Sequence, residues 1–156
     1  MPTINATITR PANTTTYAVN DAVADTTPTA GGFTFTGAAR LSGGEGLITD
    51  LIVCFDEDAA TPLQGELWIF DQAVTAITDN AAFAVSDAEI ATCVAQIPFA
   101  LIDAGNNGFY HAQNLSIGYT CVGSANLRFL VRAKNAYVPT TNSSVLTFRL
   151  KVTQVN

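Results

Sequence analysis

The feature that most constrains the fold is a series of short apolar runs with a period of two, separated by turn residues. Between positions 33 and 41, Phe33, Phe35 and Leu41 alternate with threonine and arginine, which is typical of a strand with one solvent-exposed face. Further apolar runs of strand length lie at 47–55, 66–70, 97–102, 109–122, 127–134 and 145–152. The pattern predicts about seven or eight strands without strand–helix–strand alternation. We therefore expect an all-β fold, an antiparallel β-sandwich that is jelly-roll-like.

One segment departs from the strand pattern. Residues 86–94 read SDAEIATCV, and Ser86 and Glu89 fit a capping box, in which each side chain satisfies the other residue's backbone N–H. We predict one short helix there. Pro98 has no N–H to donate, so the strand at 97–102 is expected at a sheet edge or at a bulge.

The chain of 156 residues has the length of one domain. Residues 1–30 are rich in Thr, Ala and Asn and carry few charges. We expect them to form an N-terminal arm or edge segment, of which about residues 1–25 are extended and reach beyond their own sandwich. Residues 31–156 are expected to form the β-sandwich domain.

Composition excludes two classes of partner. The net charge is −6 and 13% of the residues are charged, whereas nucleic-acid binders present a basic surface, so we predict no nucleic-acid partner. No run of about 18 apolar residues occurs, which argues against a membrane-spanning helix. The N-terminus lacks the basic head and apolar core of a secretory signal, which indicates a cytosolic origin, a signal already removed, or delivery by assembly rather than export.

Residue types that carry catalysis are sparse. His111 is the single histidine, no G-x-S-x-G motif occurs, and no glycine-rich loop carries the lysine that binds phosphate. Cys54, Cys93 and Cys121 are far apart in sequence and are interpreted as small apolar core residues. We predict that the protein is not an enzyme and has no cofactor.

Asp56, Glu57 and Asp58 form the densest acidic cluster, in a predicted hairpin loop at 56–65. Three carboxylates in one loop supply the oxygen ligands that Ca²⁺ prefers, although their spacing differs from that of an EF-hand loop. The preferred interpretation is a solvated loop tip in which the charges stay apart in water. Asp56, Glu57 and Asp58 are nevertheless the one candidate metal site that the sequence offers.

Positive charge is concentrated near the C-terminus. Between Leu41 and Leu127 there are eleven acids but no Lys or Arg, whereas from Arg128 to Asn156 there are five basic residues and no acid. Alternation places these basic side chains on one face if the strands at 127–134 and 145–152 pair as a hairpin. We predict that this face contacts an acidic partner through Arg128, Arg132, Lys134, Arg149 and Lys151. Pairing with the chain's own acids is the competing interpretation.

Two predicted strands, at 51–55 and 67–70, are apolar on both faces. A sandwich covers only one face of each strand, so the second face needs another partner. We expect a neighbouring subunit to cover it through Trp68, Phe70 and Ile52, and we predict a homotrimer.

Three stretches of the sequence resemble a known family. They are ITRPANTTTYAVNDAVAD at 8–25, GGEGLITD at 43–50 and LWIFDQAVTAITDNAAFAVSDAEI at 67–90. Together they are similar to the capsid decoration (head cement) proteins of tailed phages. The resemblance implies a virion component, made in the host cytoplasm, with a jelly-roll-like sandwich. It implies a stabilising role on the outer surface of the head, bound to the major capsid protein, commonly as trimers.

The alternative function is a phage receptor- or carbohydrate-binding module, such as a fibre or spike head. Sugar-binding faces present exposed aromatic side chains. The candidates here are Trp68, Tyr110, Tyr119 and Tyr137. Most of these also occupy alternating core positions, which favours the decoration protein.

Overall fold

Two antiparallel β-sheets pack face to face in the computed structural model, which describes residues 1–155. Their strands are β1 (Thr3–Thr9), β2 (Phe33–Phe35), β3 (Glu45–Phe55), β4 (Gln64–Phe70), β5 (Cys93–Ala100), β6 (Ile102–Asp103), β7 (Gly108–Ala112), β8 (Ile117–Thr120), β9 (Leu127–Ala133) and β10 (Val145–Val155). The six-stranded sheet has the order β1-β10-β3-β7-β6, with β8 also paired to β3. The four-stranded sheet has the order β2-β9-β4-β5. This architecture confirms the predicted all-β, jelly-roll-like sandwich.

Aromatic rings join the two sheets in the core. The ring centroid of Phe148 on β10 lies 5.5 Å from that of Phe129 on β9 and 5.9 Å from that of Phe99 on β5. Phe35 of β2 stacks on Phe129 at 4.4 Å. All four side chains are buried, because inward positions of period-two strands face the opposite sheet.

The helix α1 (Asp87–Ile90) begins at the predicted capping box. Ser86 Oγ accepts the backbone N–H of Glu89 at 3.3 Å, and Glu89 Oε2 accepts the backbone N–H of Ser86 at 3.0 Å. The helix is shorter than predicted because β5 begins at Cys93. β5 is an outer strand of its sheet, as Pro98 indicated. No helix among residues 1–155 is long and apolar enough to cross a membrane.

The N-terminal segment contributes an edge strand to the sandwich, which fits the expected edge segment and corrects the expectation of an arm that reaches beyond its own sandwich. β1 pairs with β10 at the edge of the six-stranded sheet, with Ile4 opposite Leu150 and Ile8 opposite Leu146. Further along, Tyr17 is also fully buried. The isoleucines of TINATIT fall on one face of the strand, and pairing with β10 buries them where an extended arm would expose them.

The chain changes sheet at two places where a hairpin was expected. β3 and β4 lie in different sheets, so residues 56–63 cross between the sheets. β9 and β10 likewise lie in different sheets. A period-two pattern specifies which face of a strand is buried but not which strand lies beside it, because every apolar face fits the same core.

A segment of the chain itself covers the outward face of the four-stranded sheet. Phe70 and Leu130 form a second apolar cluster with Val74, and Trp68, Ile77, Phe83 and Val85 pack against it. Residues 71–85 therefore cover the second apolar face of β4, where the sequence predicted a neighbouring subunit. The segment lacks periodic patterning, and for this reason the sequence did not predict its position.

The burial of β1 is tested by comparing Ile8→Ala with Ile102→Ala. Ile8 is fully buried and Ile102 is 63% exposed. We expect Ile8→Ala to lower the free energy of unfolding by about 2–5 kcal/mol, since truncation of a buried isoleucine leaves a cavity. Ile102→Ala removes the same atoms from a surface site and is expected to change it by less than about 0.5 kcal/mol. Urea unfolding measures both changes in the free energy of unfolding. Equal changes would support an extended N-terminal arm in place of a buried β1.

Candidate partner-binding surface

The outward face of the six-stranded sheet carries three rows of side chains that run across its strands. The strand register defines these rows as Thr3, Lys151 and Asp50; Asn5, Arg149, Ile52 and His111; and Thr7, Thr147, Cys54 and Phe109. All of these residues are exposed or half-buried. We call this set the outer sheet face.

Ion pairs on the outer sheet face leave one cation without a partner. Asp50 Oδ1 lies 3.5 Å from Lys151 Nζ and 3.2 Å from His111 Nε2. Hydrogen bonds from Thr49, and then from His111 and Lys151, lower the pKa of Asp50, so this carboxylate remains charged near neutral pH. Arg149 is exposed and has no ion-pair or hydrogen-bond partner within residues 1–155.

The five basic residues predicted to share one face lie on two sheets. Arg128 and Arg132 belong to β9, and Lys134 follows β9 directly, whereas Arg149 and Lys151 belong to β10. Because β9 and β10 are in different sheets, the predicted common basic face does not form.

Glu66 on β4 binds the two cations at the end of β9. Its Oε2 accepts hydrogen bonds from Arg132 Nε and from Gln96 Nε2, both at 2.8 Å, and Lys134 Nζ lies 3.4 Å from Oε1. Burial alone would raise the pKa of Glu66, but the hydrogen bonds from Gln96 and Arg132 outweigh it and lower the pKa. Arg128 donates to the Thr34 hydroxyl. Pairing with the chain's own acids accounts for Arg132 and Lys134, as it does for Lys151.

The residues predicted for subunit contact are in three different environments. Phe70 is fully buried by the chain itself and is not available to a neighbour. Trp68 is half-buried, with the Phe83 ring centroid at 5.4 Å and the Arg132 guanidinium carbon at 5.2 Å. Ile52 lies on the outer sheet face between Arg149 and His111. Of the three, Ile52 alone lies on this open face.

The carboxylates at 56–58 do not converge on a common site. Asp56 Oδ1 accepts the backbone N–H of Val145, Asp58 is exposed, and Glu57 is buried. No three His, Cys, Asp or Glu side chains within residues 1–155 are placed to hold a metal ion. The prediction of a Ca²⁺ site at these three carboxylates is therefore wrong. The interpretation as a solvated loop tip is also wrong for Glu57, because its side chain is buried.

Glu57 accepts hydrogen bonds from several groups in the 135–144 connection. Its Oε2 accepts from the Tyr137 hydroxyl and from Ser144 Oγ at 3.0 Å. Its Oε1 accepts the backbone N–H groups of Thr140 and Thr141. Burial would raise the pKa of Glu57, but these hydrogen bonds outweigh it and lower the pKa.

Arg10 is the cation that faces Glu57. Its Nη1 lies 3.8 Å from Glu57 Oε2, and both side chains are fully buried. Arg10 Nε donates to the Tyr17 hydroxyl at 2.8 Å, and that hydroxyl donates to Asp79 Oδ1 at 2.7 Å. Burial raises the pKa of both Tyr17 and Asp79. We call the set Arg10, Tyr17, Glu57, Asp79, Tyr137 and Ser144 the Arg10–Glu57 cluster.

No motif or spacing in the sequence marks Arg10, Tyr17 or Asp79 as members of one cluster. One signal was present, because Arg10 is the only charged side chain among residues 1–20. A lone charge in an otherwise uncharged segment of alternating apolar residues is a candidate for a buried ion pair. Its partner, 47 positions away at Glu57, is set by tertiary structure alone.

Comparisons with known proteins show similarity to solved structures alone, since no family model and no curated protein matches the chain. A capsid chain of Helicobacter pylori bacteriophage KHP30 is 14% identical, with 100% of this chain and 94% of that chain covered and a TM-score of 0.31. A structure described as CBM4, a carbohydrate-binding module, is 8% identical, with 98% and 94% covered and a TM-score of 0.33. Desmodium yellow mottle tymovirus gives 11% identity, 99% and 88% coverage and a TM-score of 0.30. These neighbours are viral capsid proteins and a binding module, at a similarity too low to carry an argument about function.

Removal of the charge on Glu57 should destabilise the fold. In Glu57→Gln the buried Arg10 guanidinium loses its counter-charge, so we expect the free energy of unfolding to fall by about 3–5 kcal/mol. Asp58→Asn removes the same charge from the neighbouring exposed position and should change it by less than about 0.5 kcal/mol. Guanidinium unfolding at pH 7 measures the free energy of unfolding of both variants. Equal losses would show that the buried charge of Glu57 contributes no more stability than the exposed charge of Asp58.

Acid should weaken the wild type more than Glu57→Gln. The pKa of Glu57 is lowered in the folded state, so its contribution is present above the unfolded value of about 4.3 and is lost as the pH falls through the folded value. Denaturant unfolding from pH 7 to pH 2 should therefore show the stability gap between the two proteins narrowing below about pH 4.3. A gap that stays constant with pH would contradict this assignment.

Proposed function

We propose that this chain is a structural virion protein, a decoration or cement protein that binds the outer surface of a tailed-phage head and stabilises it. A protein that contacts several shell subunits at once binds only the assembled shell, and so stabilises that state by linkage. Repeated over many copies, weak contacts add through multivalency. Such a role requires surfaces rather than a catalytic centre.

The observation that carries the proposal is the contact between two of the stretches that resemble decoration proteins. Ala22 of the 8–25 stretch donates its N–H to Ala81 C=O at 2.8 Å, and the N–H of Asn80 returns to Ala22 C=O at 2.9 Å. Asp79 accepts the N–H of Ala24 at 2.8 Å. The resemblance in 67–90 and in 8–25 therefore falls on two segments that are hydrogen-bonded to each other next to the four-stranded sheet.

The outer sheet face is the proposed docking side. The covered face of the four-stranded sheet leaves this side as the open one, and Arg149, which has no partner among residues 1–155, supplies a positive charge on an acidic protein. An acidic patch on the major capsid protein would complement Arg149, with Ile52 beside it for apolar contact. Exposed charge pairs contribute about 0–1 kcal/mol each, so their main effect is on orientation and encounter.

The alternative, a carbohydrate-binding module, has weaker support. Tyr119 and Tyr137 are buried, and their hydroxyls are bonded to Ala38 C=O and Glu57. Phe83 and Arg132 both pack against the Trp68 ring. Tyr110 is half-buried and packs beside Phe99 with ring centroids 6.5 Å apart. None of the four offers the open aromatic platform on which a sugar ring stacks.

Virions provide the direct test of the proposal. We expect mass spectrometry of gradient-purified particles to detect this chain at a constant ratio to the major capsid protein. Heads assembled without it should bind the added protein and then withstand heating or low salt better. Absence from purified virions, together with binding to a glycan array, would support the carbohydrate-binding module instead.

The docking side is tested by Arg149→Ser, with Arg128→Ser as the matched control on the other sheet. We expect Arg149→Ser to weaken binding to bare heads by up to about fivefold per site at low salt, the equivalent of about 1 kcal/mol. The difference should shrink at high salt because screening weakens exposed pairs. Equal binding of Arg149→Ser and wild type at low salt would exclude Arg149 from the contact.

A further inference from the structure

β1 is an outer strand whose outward backbone groups have a defined position. Val152 N–H donates to Pro2 C=O at 3.1 Å, and Arg10 N–H donates to Ser144 C=O at 2.9 Å, so even-numbered residues bond toward β10. Alternate residues of an antiparallel pair direct their N–H and C=O groups to opposite sides. The backbone groups of Thr3, Asn5 and Thr7 therefore point away from β10, along the free edge.

Thr9 marks the end of this free edge. Its N–H donates to Asp25 Oδ1 at 2.9 Å, so the chain itself occupies that position. The edge open to a further strand is Thr3 to Thr7, and the side chains of Thr3, Asn5 and Thr7 are exposed.

The other outer strands within residues 1–155 are protected or short. β5 contains Pro98, which has no N–H for a new ladder, and β2, β6 and β8 have four residues or fewer. β1 has seven residues with no proline and no charge, and its register with β10 has no bulge. Natural proteins usually guard such an edge with charge, proline or a bulge, and β1 has none of these devices.

The sequence of β1 is self-complementary in the antiparallel sense. A two-fold axis at Asn5 places Thr3 opposite Thr7 of the second copy and Asn5 opposite its own copy. Each of these pairs joins residues whose backbone groups point outward, so the ladder closes without a shift. Opposite residues share a face, so Ile4 and Ile8 stay on the core side in both copies and the Thr and Asn side chains stay on the outer face.

From this match we infer that β1 pairs with β1 of a second copy of this chain, which makes one continuous sheet from two six-stranded sheets. The occupant is a second copy because the register, the backbone direction and the side-chain faces all match under two-fold symmetry. The absence of charge on β1 allows the contact although each chain carries −6. The resulting oligomer is a dimer, in place of the trimer that the apolar pattern of β4 suggested. The inference is independent of the capsid proposal, because it concerns the purified protein alone.

Sedimentation equilibrium of the full chain across the micromolar range is the test. We expect a reversible monomer–dimer equilibrium in the wild type. Asn5→Pro removes an N–H that faces away from β10, so it should abolish the dimer while circular dichroism still shows a cooperative melt. Asn5→Ala keeps that N–H and is the matched control, so it should leave the dissociation constant unchanged.

A charge exchange tests the register even if Asn5→Pro does not fold. Thr3→Glu with Thr7→Glu sets like charges opposite each other and should weaken the dimer by at least about tenfold. Thr3→Glu with Thr7→Lys sets opposite charges in the same places and should restore it at low salt. A monomeric wild type, a trimer, or a dimer that none of these changes affects would overturn the inference.

Discussion

The buried ion pair between Arg10 and Glu57 is the interaction on which the irregular parts of the sandwich converge. Two charges removed from water are tolerated only when hydrogen bonds replace their solvation. Here Tyr17, Tyr137 and Ser144 supply them, with the backbone N–H groups of the 135–144 connection. Asp79 in turn accepts a hydrogen bond from the Tyr17 hydroxyl. The cluster thereby joins the N-terminal segment, the 56–63 crossover, the 71–85 segment and the connection from β9 to β10. These are the irregular parts of the chain, which have no sheet ladder of their own.

The two sheets differ in what covers their outward faces, and this difference determines which sheet is open to contact with other chains. The 71–85 segment lies over the four-stranded sheet and buries Phe70 and Leu130, while Glu66 binds the cations at the end of β9. The six-stranded sheet keeps an open outer face with Arg149 and Ile52, and an open edge at β1. The surface proposed for the phage head and the edge proposed for a second copy therefore belong to the same sheet. A β1 pair would extend that face across both copies and so raise the number of simultaneous shell contacts.

Local signals were reliable wherever the interaction is local. The capping box at Ser86 and Glu89 predicted where the helix begins, and Pro98 predicted an outer strand, because both depend on nearby backbone groups. The prediction of a common basic face was wrong because it required β9 and β10 to be neighbours in one sheet. The prediction of a subunit contact through Phe70 was wrong because the 71–85 segment covers β4. That segment has no periodic pattern from which its position could be predicted.

The sequence by itself determined the fold class and the buried face of most strands, since period-two alternation is read directly from neighbouring residues. It also determined the low content of charged residues and the net charge of −6, against which Arg149 is one of few cations. Tertiary structure decided which strands are adjacent, which carboxylate meets Arg10, and which apolar face the chain covers with its own segment. These depend on contacts between residues tens of positions apart, where many pairings satisfy the same local pattern and only simultaneous packing of both sheets selects one.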